Sequence, residues 1–321
     1  MSEYKEIKGI KVQDLSADPP APFAGQVWYN SSSNNLKYFG VSSVGSWSTG
    51  GNLSTGRLYL GGCGTQTAGL AFGGRTPTTN VTEEYNGTAW TAGGNLPAAN
   101  ERLAGAGTQT AGLATGGEEG GSVAATTSEY DGSTWTSGGN LGTAREFLGA
   151  AGTQTAGLAF GGEAIGTQTA TEEYDGTSWT AGGALPTGQQ KLGDAGTQTA
   201  ALAFGGLLGG TDTDVTNEYN GSSWAAGGVL NTSRRNLSGT GTQTAGLAFG
   251  GATAPTPAFS STEEYNGTAW TTTTNMNTAR ADLAGAGTQT AGLAFGGTPS
   301  PGTQATEEFG FAPATLIIGT N

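Results

Sequence analysis

The chain has 321 residues, of which 60 are glycine, and a formal net charge of −13. So acidic a chain argues against nucleic acids and anionic membranes as partners, because both attract patches of lysine and arginine. The single cysteine, Cys63, rules out an internal disulfide, and the absence of histidine removes the commonest general base and metal ligand. We therefore expect no catalytic residue, no bound metal and no cofactor.

Residues 1–24 are predicted to form a leader. Met1–Asp18 is polar and charged and contains no apolar stretch, so we expect a soluble chain without a signal peptide. A proline-rich, semi-rigid linker follows at residues 19–22. Residues 26–39 then predict a β-hairpin, because two strand-like runs flank a turn of serine and asparagine.

Residues 53–309 are built from a repeated unit. Its most regular part is Gly-Thr-Gln-Thr-Ala-Gly-Leu-Ala-Phe-Gly-Gly, and six copies recur at steps of 43 to 46 residues. The copies begin at Gly64, Gly107, Gly152, Gly196, Gly241 and Gly287. A fixed period of this length predicts one supersecondary unit stacked on copies of itself. Each complete unit has four strand-like runs, and an Asn-Gly or Asp-Gly pair between the last two is typical of a two-residue hairpin.

The two ends of the repeat region look like parts of one unit. The sixth repeat begins at Arg280 and ends at Phe309 without a tryptophan run, whereas the run around Trp47 has no first two strands of its own. We therefore expect six units whose ends share one sheet, so that no open edge is left. Residues 310–321 are expected to lock this seam. Because Leu36–Phe39 also resembles a third run, seven units are the alternative.

Four features recur in order along the chain: a basic residue, a diglycine after the second run, an aromatic residue after a glutamate, and a tryptophan. The basic residues are Arg57, Arg102, Arg145, Lys191, Arg235 and Arg280. The glutamates are Glu84, Glu129, Glu173, Glu218, Glu264 and Glu308. This pattern resembles the Kelch repeat. The resemblance implies an all-β, Kelch-like β-propeller with four-stranded blades around a central channel.

A second resemblance lies in the N-terminal hairpin. Ala24–Asn30 and Leu36–Tyr38 resemble a short segment common in bacteriophage tail-fibre and other virion proteins, and the near-identical repeats resemble structural proteins of marine phages. This implies a non-enzymatic virion structural or host-attachment protein, located in the extracellular particle. Its partners would be other virion proteins, through residues 1–39, and a host-surface glycan or protein. A carbohydrate- or protein-binding propeller outside any virus is the second hypothesis, and an enzyme on the same scaffold is the third.

The repeats carry two rings of polar residues. Their glutamines are expected to form a structural ring in which amides hydrogen-bond with one another and with the backbone. These are Gln66, Gln109, Gln154, Gln198, Gln243 and Gln289. If the first run lines the channel, the same ring is the alternative site for water, an ion or a polar ligand. The glutamates named above are expected to pair with the basic residues, one pair per unit.

The connections between the second and third runs differ most between units. Variable loops on a rigid scaffold are a common way to build a binding surface. The candidate binding residues in these loops are Arg75, Glu118, Glu119, Leu207, Leu208, Asp212, Asp214 and Phe259. Two aspartates fall short of the about six to eight oxygens that calcium requires, so we expect no metal at Asp212 and Asp214.

Overall fold

The computed structural model describes residues 12–23, 25–41, 44–254 and 257–317. Over these ranges the chain is all-β, which confirms the predicted fold class at that level. Residues 1–11 and 24 of the predicted leader, and 318–321 of the predicted tail, lie outside the described ranges. Two compact units are present: Trp47–Gly310, and Met1–Ser46 together with Phe311–Asn321. Within the described ranges we find no helix with the length and apolar character that a membrane span requires.

The larger unit contains six four-stranded sheets, which we number 1 to 6. Sheet 1 has Gly61–Thr65, Ala68–Phe72, Thr82–Tyr85 and Trp90–Ala92. Sheet 2 has Ala104–Thr108, Ala111–Thr115, Thr127–Tyr130 and Trp135–Ser137. Sheet 3 has Gly149–Thr153, Ala156–Phe160, Thr171–Tyr174 and Trp179–Ala181. Sheet 4 has Gly193–Thr197, Ala200–Phe204, Thr216–Tyr219 and Trp224–Ala226. Sheet 5 has Arg235–Thr242, Ala245–Ala252, Thr262–Tyr265 and Trp270–Thr272. Sheet 6 has Ala284–Thr288, Ala291–Phe295, Thr306–Gly310 and, as its fourth strand, Ser46–Thr49.

In sheets 1 to 5 the four strands pair antiparallel in chain order. The variable connections between second and third strands add two-residue strands of their own, which are Glu118–Glu119, Ser122–Val123, Glu163–Ala164, Gly166–Thr167, Leu207–Leu208 and Thr211–Asp212. Two more, Asn100–Glu101 and Gln189–Gln190, lie in the segments that enter the first strands of sheets 2 and 4. The short strands pair with each other and with the segment that enters the first strand of the same sheet, as Glu118 does with Glu101. The variable loops are thereby fixed beside the start of the first strands.

The first strands of the six sheets lie side by side. Each contacts the first strand of the following sheet, and the first strand of sheet 6 contacts that of sheet 1. This close approach accounts for much of the glycine, because a Cβ atom on Gly62 would lie 2.5 Å from the ring of Phe295. Glycine at these positions lets first strands pack directly on the aromatic residues of a neighbouring sheet.

The hydrophobic core lies between consecutive sheets. One cluster combines Cys63, Leu70 and Phe72 of sheet 1 with Ala114, Tyr130 and Trp135 of sheet 2. The Trp135 and Phe72 rings meet edge to face with centroids 5.0 Å apart. Burial raises the pKa of the Cys63 thiol to about 12, so this side chain stays protonated and packs as a small apolar group.

The smaller unit is a separate four-stranded sheet. Val27–Asn30 and Asn35–Val41 form an antiparallel hairpin, and Gln13–Leu15 pairs parallel with the first of these strands. Pro313–Ile317 pairs antiparallel with Asn35–Val41. The tail that was expected to lock the seam of the repeats therefore pairs with the hairpin, and the fourth strand of sheet 6 comes from Ser46–Thr49 instead.

Candidate binding site at the central cavity

The glutamine ring joins each sheet to the one before it. Gln109 Nε2 in sheet 2 donates to the carbonyls of Gly69 and Tyr85 in sheet 1, at 3.0 and 2.7 Å. The other five glutamines make the same two bonds to the preceding sheet. The partners are backbone carbonyls and not neighbouring amides, so these donors are engaged within the scaffold.

A tyrosine and a tryptophan make two further contacts at each interface. Tyr130 Oη donates to Glu84 Oε1 in the preceding sheet at 2.5 Å, and Trp135 Nε1 donates to Thr82 Oγ1 at 2.9 Å. Burial and the glutamate partner raise the pKa of Tyr130 to about 12, so the hydroxyl remains a donor. The tryptophan bond recurs at all six interfaces. The tyrosine bond recurs at five, since sheet 6 carries Phe309, which has no hydroxyl.

The expected pairing of these glutamates with the basic residues is wrong. The salt bridges use the glutamate one position earlier, which points to the other face of the strand. Buried pairs of this kind join Arg57 to Glu83, Arg145 to Glu172, Arg234 to Glu263 and Arg280 to Glu307, at 2.7 to 3.0 Å. Arg57 also donates to the diglycine carbonyl of Gly73 at 2.8 Å.

Two sheets replace this ion pair by neutral residues. Counting nine residues back from each glutamine places Asn100 and Gln189 in the arginine position, facing Ser128 and Asn217. Gln189 Nε2 donates to the diglycine carbonyl of Gly205, and Asn217 Nδ2 donates to Gln189 Oε1 at 3.2 Å. Both members of the pair have therefore changed together. The residues assigned to this position from the sequence, Arg102, Lys191 and Arg235, lie elsewhere.

Seven residues before each glutamine lies a second ring, which we call the mouth ring. Its members are Tyr59, Arg102, Phe147, Lys191, Asn236 and Asp282. All six have a left-handed backbone, with φ between 53° and 59°. Each backbone N–H donates to the carbonyl of the ring residue in the preceding sheet at 2.8 or 2.9 Å, and Tyr59 N donates to Asp282 O. These six bonds form a continuous circuit that fixes the conformation.

The side chains on one side of the mouth ring form a stack. Arg102 lies over the rings of Tyr59 and Phe147, with its Cζ atom 5.6 and 5.0 Å from their centroids. Lys191 Nζ lies 4.5 Å from the centroid of Phe147. Arg102 is also paired with Glu146 at 2.9 Å and with Glu118. The two cations are thus held in place by aromatic faces and, for Arg102, by carboxylates.

Inside the mouth ring is a cavity of about 110 Å³, lined by residues of all six sheets. Two carboxyl groups line it. Burial raises the pKa of Asp282 to about 6, although Lys191, Arg235 and Arg102 oppose the shift. Burial raises the pKa of Asp194 to about 7, although the backbone N–H of Ala150 opposes it. Near both carboxylates, the cations and hydrogen-bond donors of the protein stabilise the charged form too little to offset the cost of removing it from water.

Three of the loop residues predicted from the sequence lie against the mouth ring. Arg75 pairs with Glu101 at 2.9 Å and lies over Tyr59. Glu118 pairs with Arg102, and Asp212 pairs with Arg235, the residue before Asn236 in sequence, at 3.4 Å. The variable loops and the mouth ring therefore share one face of the larger unit.

The other predicted loop residues have internal roles. Glu119 accepts hydrogen bonds from Asn100 and Thr126. Leu207 is buried, and Leu208, Asp214 and Phe259 are half-buried. Among the described loop residues, the large apolar side chains that are exposed are Val123 and Ile165, which the sequence analysis did not single out; Ile165 is fully exposed. Among the residues that the structure describes, no group of three or more metal-binding side chains is placed to hold a metal ion.

The mouth ring itself was missed, because its left-handed conformation is imposed by bonds between sheets. The available signal was the count from each glutamine, which finds six different residue types at one position of an otherwise uniform repeat. No protein-family model and no curated protein matches the chain. Its function is therefore argued from geometry and chemistry.

Proposed function

We propose that Trp47–Gly310 is a Kelch-like propeller of six blades, and that the chain is a non-enzymatic host-attachment protein on the surface of a phage particle. The circuit of six backbone bonds and the sharing of sheet 6 between distant strands support the six-bladed arrangement. The resemblance of the hairpin to tail-fibre segments supports the virion setting, with residues 1–39 as the attachment to other virion proteins.

The mouth ring is the observation that carries a binding function. A left-handed backbone costs a non-glycine residue about 1–2 kcal/mol, and glycine adopts it freely. Glycine fills most left-handed positions of this chain, yet none of the six in the mouth ring. A large or polar side chain is kept at each, and all six differ. Strain retained at one face of a rigid scaffold is typical of a functional surface.

The hydrogen bonding of the repeated carboxylates favours binding over catalysis. Apart from Glu264, whose Oε1 atom has no partner, they accept bonds from a buried arginine, a tyrosine or the backbone, so they serve the scaffold. Asp194 and Asp282 are the carboxylates that face the cavity, and they come from different sheets.

The test is to separate particles from soluble protein on a density gradient and to identify the chain by mass spectrometry. We expect it to co-sediment with capsid and tail proteins in a fixed ratio. Recovery in the soluble fraction alone would overturn the virion setting and leave the second candidate, a free carbohydrate- or protein-binding propeller, which the same mouth ring favours.

The attachment role needs its own measurement. Purified chain should compete with particles for binding to host cells. Lys191→Met should weaken this competition, whereas Asp131→Asn should not, because Asp131 lies in an exposed turn where other repeats carry asparagine. Equal competition by both variants would place the attachment surface away from the mouth ring.

A further inference from the structure

The cavity inside the mouth ring has room for one small molecule. Its volume is about 110 Å³, whereas a single water needs about 10–15 Å³ by the same measure. Glycines of four sheets line the wall below the ring: Gly62, Gly105, Gly239 and Gly285. At the same level sheet 4 carries Asp194. The wall is thus open where these four sheets have a glycine, and at this level it carries the carboxyl group of Asp194.

Several polar groups around this space have no protein partner. Among the described residues, the Tyr59 hydroxyl, the Lys191 ammonium and the Asn236 amide make no hydrogen bond or salt bridge. Asp282 Oδ1 is buried and has no hydrogen-bond partner. Buried polar atoms are normally paired, so the unpaired Asp282 Oδ1 points to a partner that comes from outside the chain. The three solvent-accessible donors beside it can bind the same partner.

The side chain of Lys191 is already fixed in position before a partner binds. Its ammonium lies on the face of Phe147, whose other neighbour is Arg102. Arg102 itself is engaged by Glu118 and Glu146 and has less to offer a ligand. A group already fixed before binding loses little conformational entropy when a ligand arrives.

The charges at the cavity select against ions. A cation would meet Lys191 and Arg102 at the mouth, and an anion would meet Asp282 and Asp194. Donors and acceptors are both present, and a hydroxyl group can serve both. A neutral compound with several hydroxyl groups satisfies this set without burying a net charge.

We propose that the cavity binds one neutral sugar unit, presented as the end of a glycan chain. Asp282 and Asp194 accept from its hydroxyl groups, and Lys191, Asn236 and Tyr59 donate to them. The proposal rests on the host-attachment function above and names the ligand class for that same site. Because the aromatic faces are covered by cations, hydrogen bonds supply more of the affinity than ring stacking does.

The test uses the full chain and a panel of neutral monosaccharides, with ligand-observed NMR on the unmodified protein and calorimetry on variants. We expect at least one sugar to bind in the millimolar range. Asp282→Ala and Lys191→Met should each weaken it about tenfold, as expected for the loss of a charge-assisted hydrogen bond. Asp131→Asn is the control and should bind as the unmodified chain does.

Three results would overturn the proposal. They are no saturation transfer to any sugar, equal binding by Asp282→Ala, or binding of small amines or carboxylates in preference to sugars. The unmodified chain suffices for the first and third, so a variant that fails to fold does not prevent a decision. If the chain still binds host cells and free sugar does not compete, the attachment function survives and the sugar inference fails.

Discussion

The contacts between sheets and the mouth ring belong to the same repeats but vary in opposite ways. Between sheets, glutamine, tyrosine and tryptophan recur with nearly the same bonds, as in Gln109, Tyr130 and Trp135. In the mouth ring, six positions with one backbone conformation carry six different side chains. At the interfaces, a residue of one sheet can change only when its partner in the neighbouring sheet changes with it. In the mouth ring a single residue can change alone, because its side chain faces a cavity.

One coordinated change lies between sheets 5 and 6. A Cβ atom on Gly227 would lie 2.8 Å from the Tyr265 hydroxyl, and a glycine occupies this position wherever a tyrosine follows in the next sheet. In sheet 5 the position holds Thr273, and sheet 6 carries Phe309. The missing hydroxyl leaves room for the threonine and leaves Glu264 Oε1 buried without a hydrogen-bond partner.

Breaking a buried ion pair should have the largest effect on the interfaces. Arg57→Met leaves Glu83 charged and buried, so we expect the free energy of unfolding to fall by about 3–5 kcal/mol. Urea denaturation measures this loss. The control is the double variant Arg57→Gln with Glu83→Asn, which copies the neutral pair of sheet 4 and should recover most of the loss. If it recovers none, the two positions do not act as a pair.

Placing a tyrosine at position 309 should lower the stability only while Thr273 is present. Phe309→Tyr adds a hydroxyl against Thr273, and overpacking of this kind costs about 1–3 kcal/mol. In a Thr273→Gly background the same change should be neutral or stabilising, because the hydroxyl then reaches Glu264. Thermal unfolding of the unmodified chain, the two single variants and the double variant gives the coupling energy between positions 273 and 309. If Phe309→Tyr has the same effect with and without Thr273, the two positions are not coupled.

The cavity carboxyl of Asp194 should make stability depend on pH. Burial raises its pKa in the folded state to about 7, above the ordinary value of 3.8. The folded state therefore keeps its proton to a higher pH, and stability falls as pH rises between these values. Asp194→Gly copies four other sheets. It should stabilise the fold by about 1–2 kcal/mol above about pH 8 and hardly at all near about pH 3.5. Melting temperatures at both pH values measure this, and a gain independent of pH would exclude the carboxyl as its cause.

The smallest effect is expected in the mouth ring. Asn236→Gly removes a side chain from a left-handed position where asparagine is already tolerated, so stability should rise by only a few tenths of a kcal/mol. Sugar binding should weaken at the same time, as measured by calorimetry. A clear loss of stability would show that the amide serves the scaffold and not a ligand.

Much of the repeat could be predicted from the sequence, because its turns and strands depend on residues that are close together in the chain. Asn86-Gly87 predicts a hairpin, and in the structure Thr82–Tyr85 and Trp90–Ala92 pair around it. The arginine position was assigned wrongly in sheets 2, 4 and 5, because Arg102, Lys191 and Arg235 lie one or two residues from it. Counting from the glutamine would have corrected this, since the glutamine marks the register of the first strand.

The sequence alone was enough to predict the all-β class, the six copies of the repeat, the turns and the order of features within each copy, because these depend on short-range patterns. The packing of the sheets was needed to show which of two adjacent glutamates, Glu83 or Glu84, pairs with arginine, since neighbours in a strand face opposite sides. It also decided that Tyr59 and its five counterparts surround a cavity. Their left-handed backbone comes from hydrogen bonds between sheets, and no local pattern contains that information.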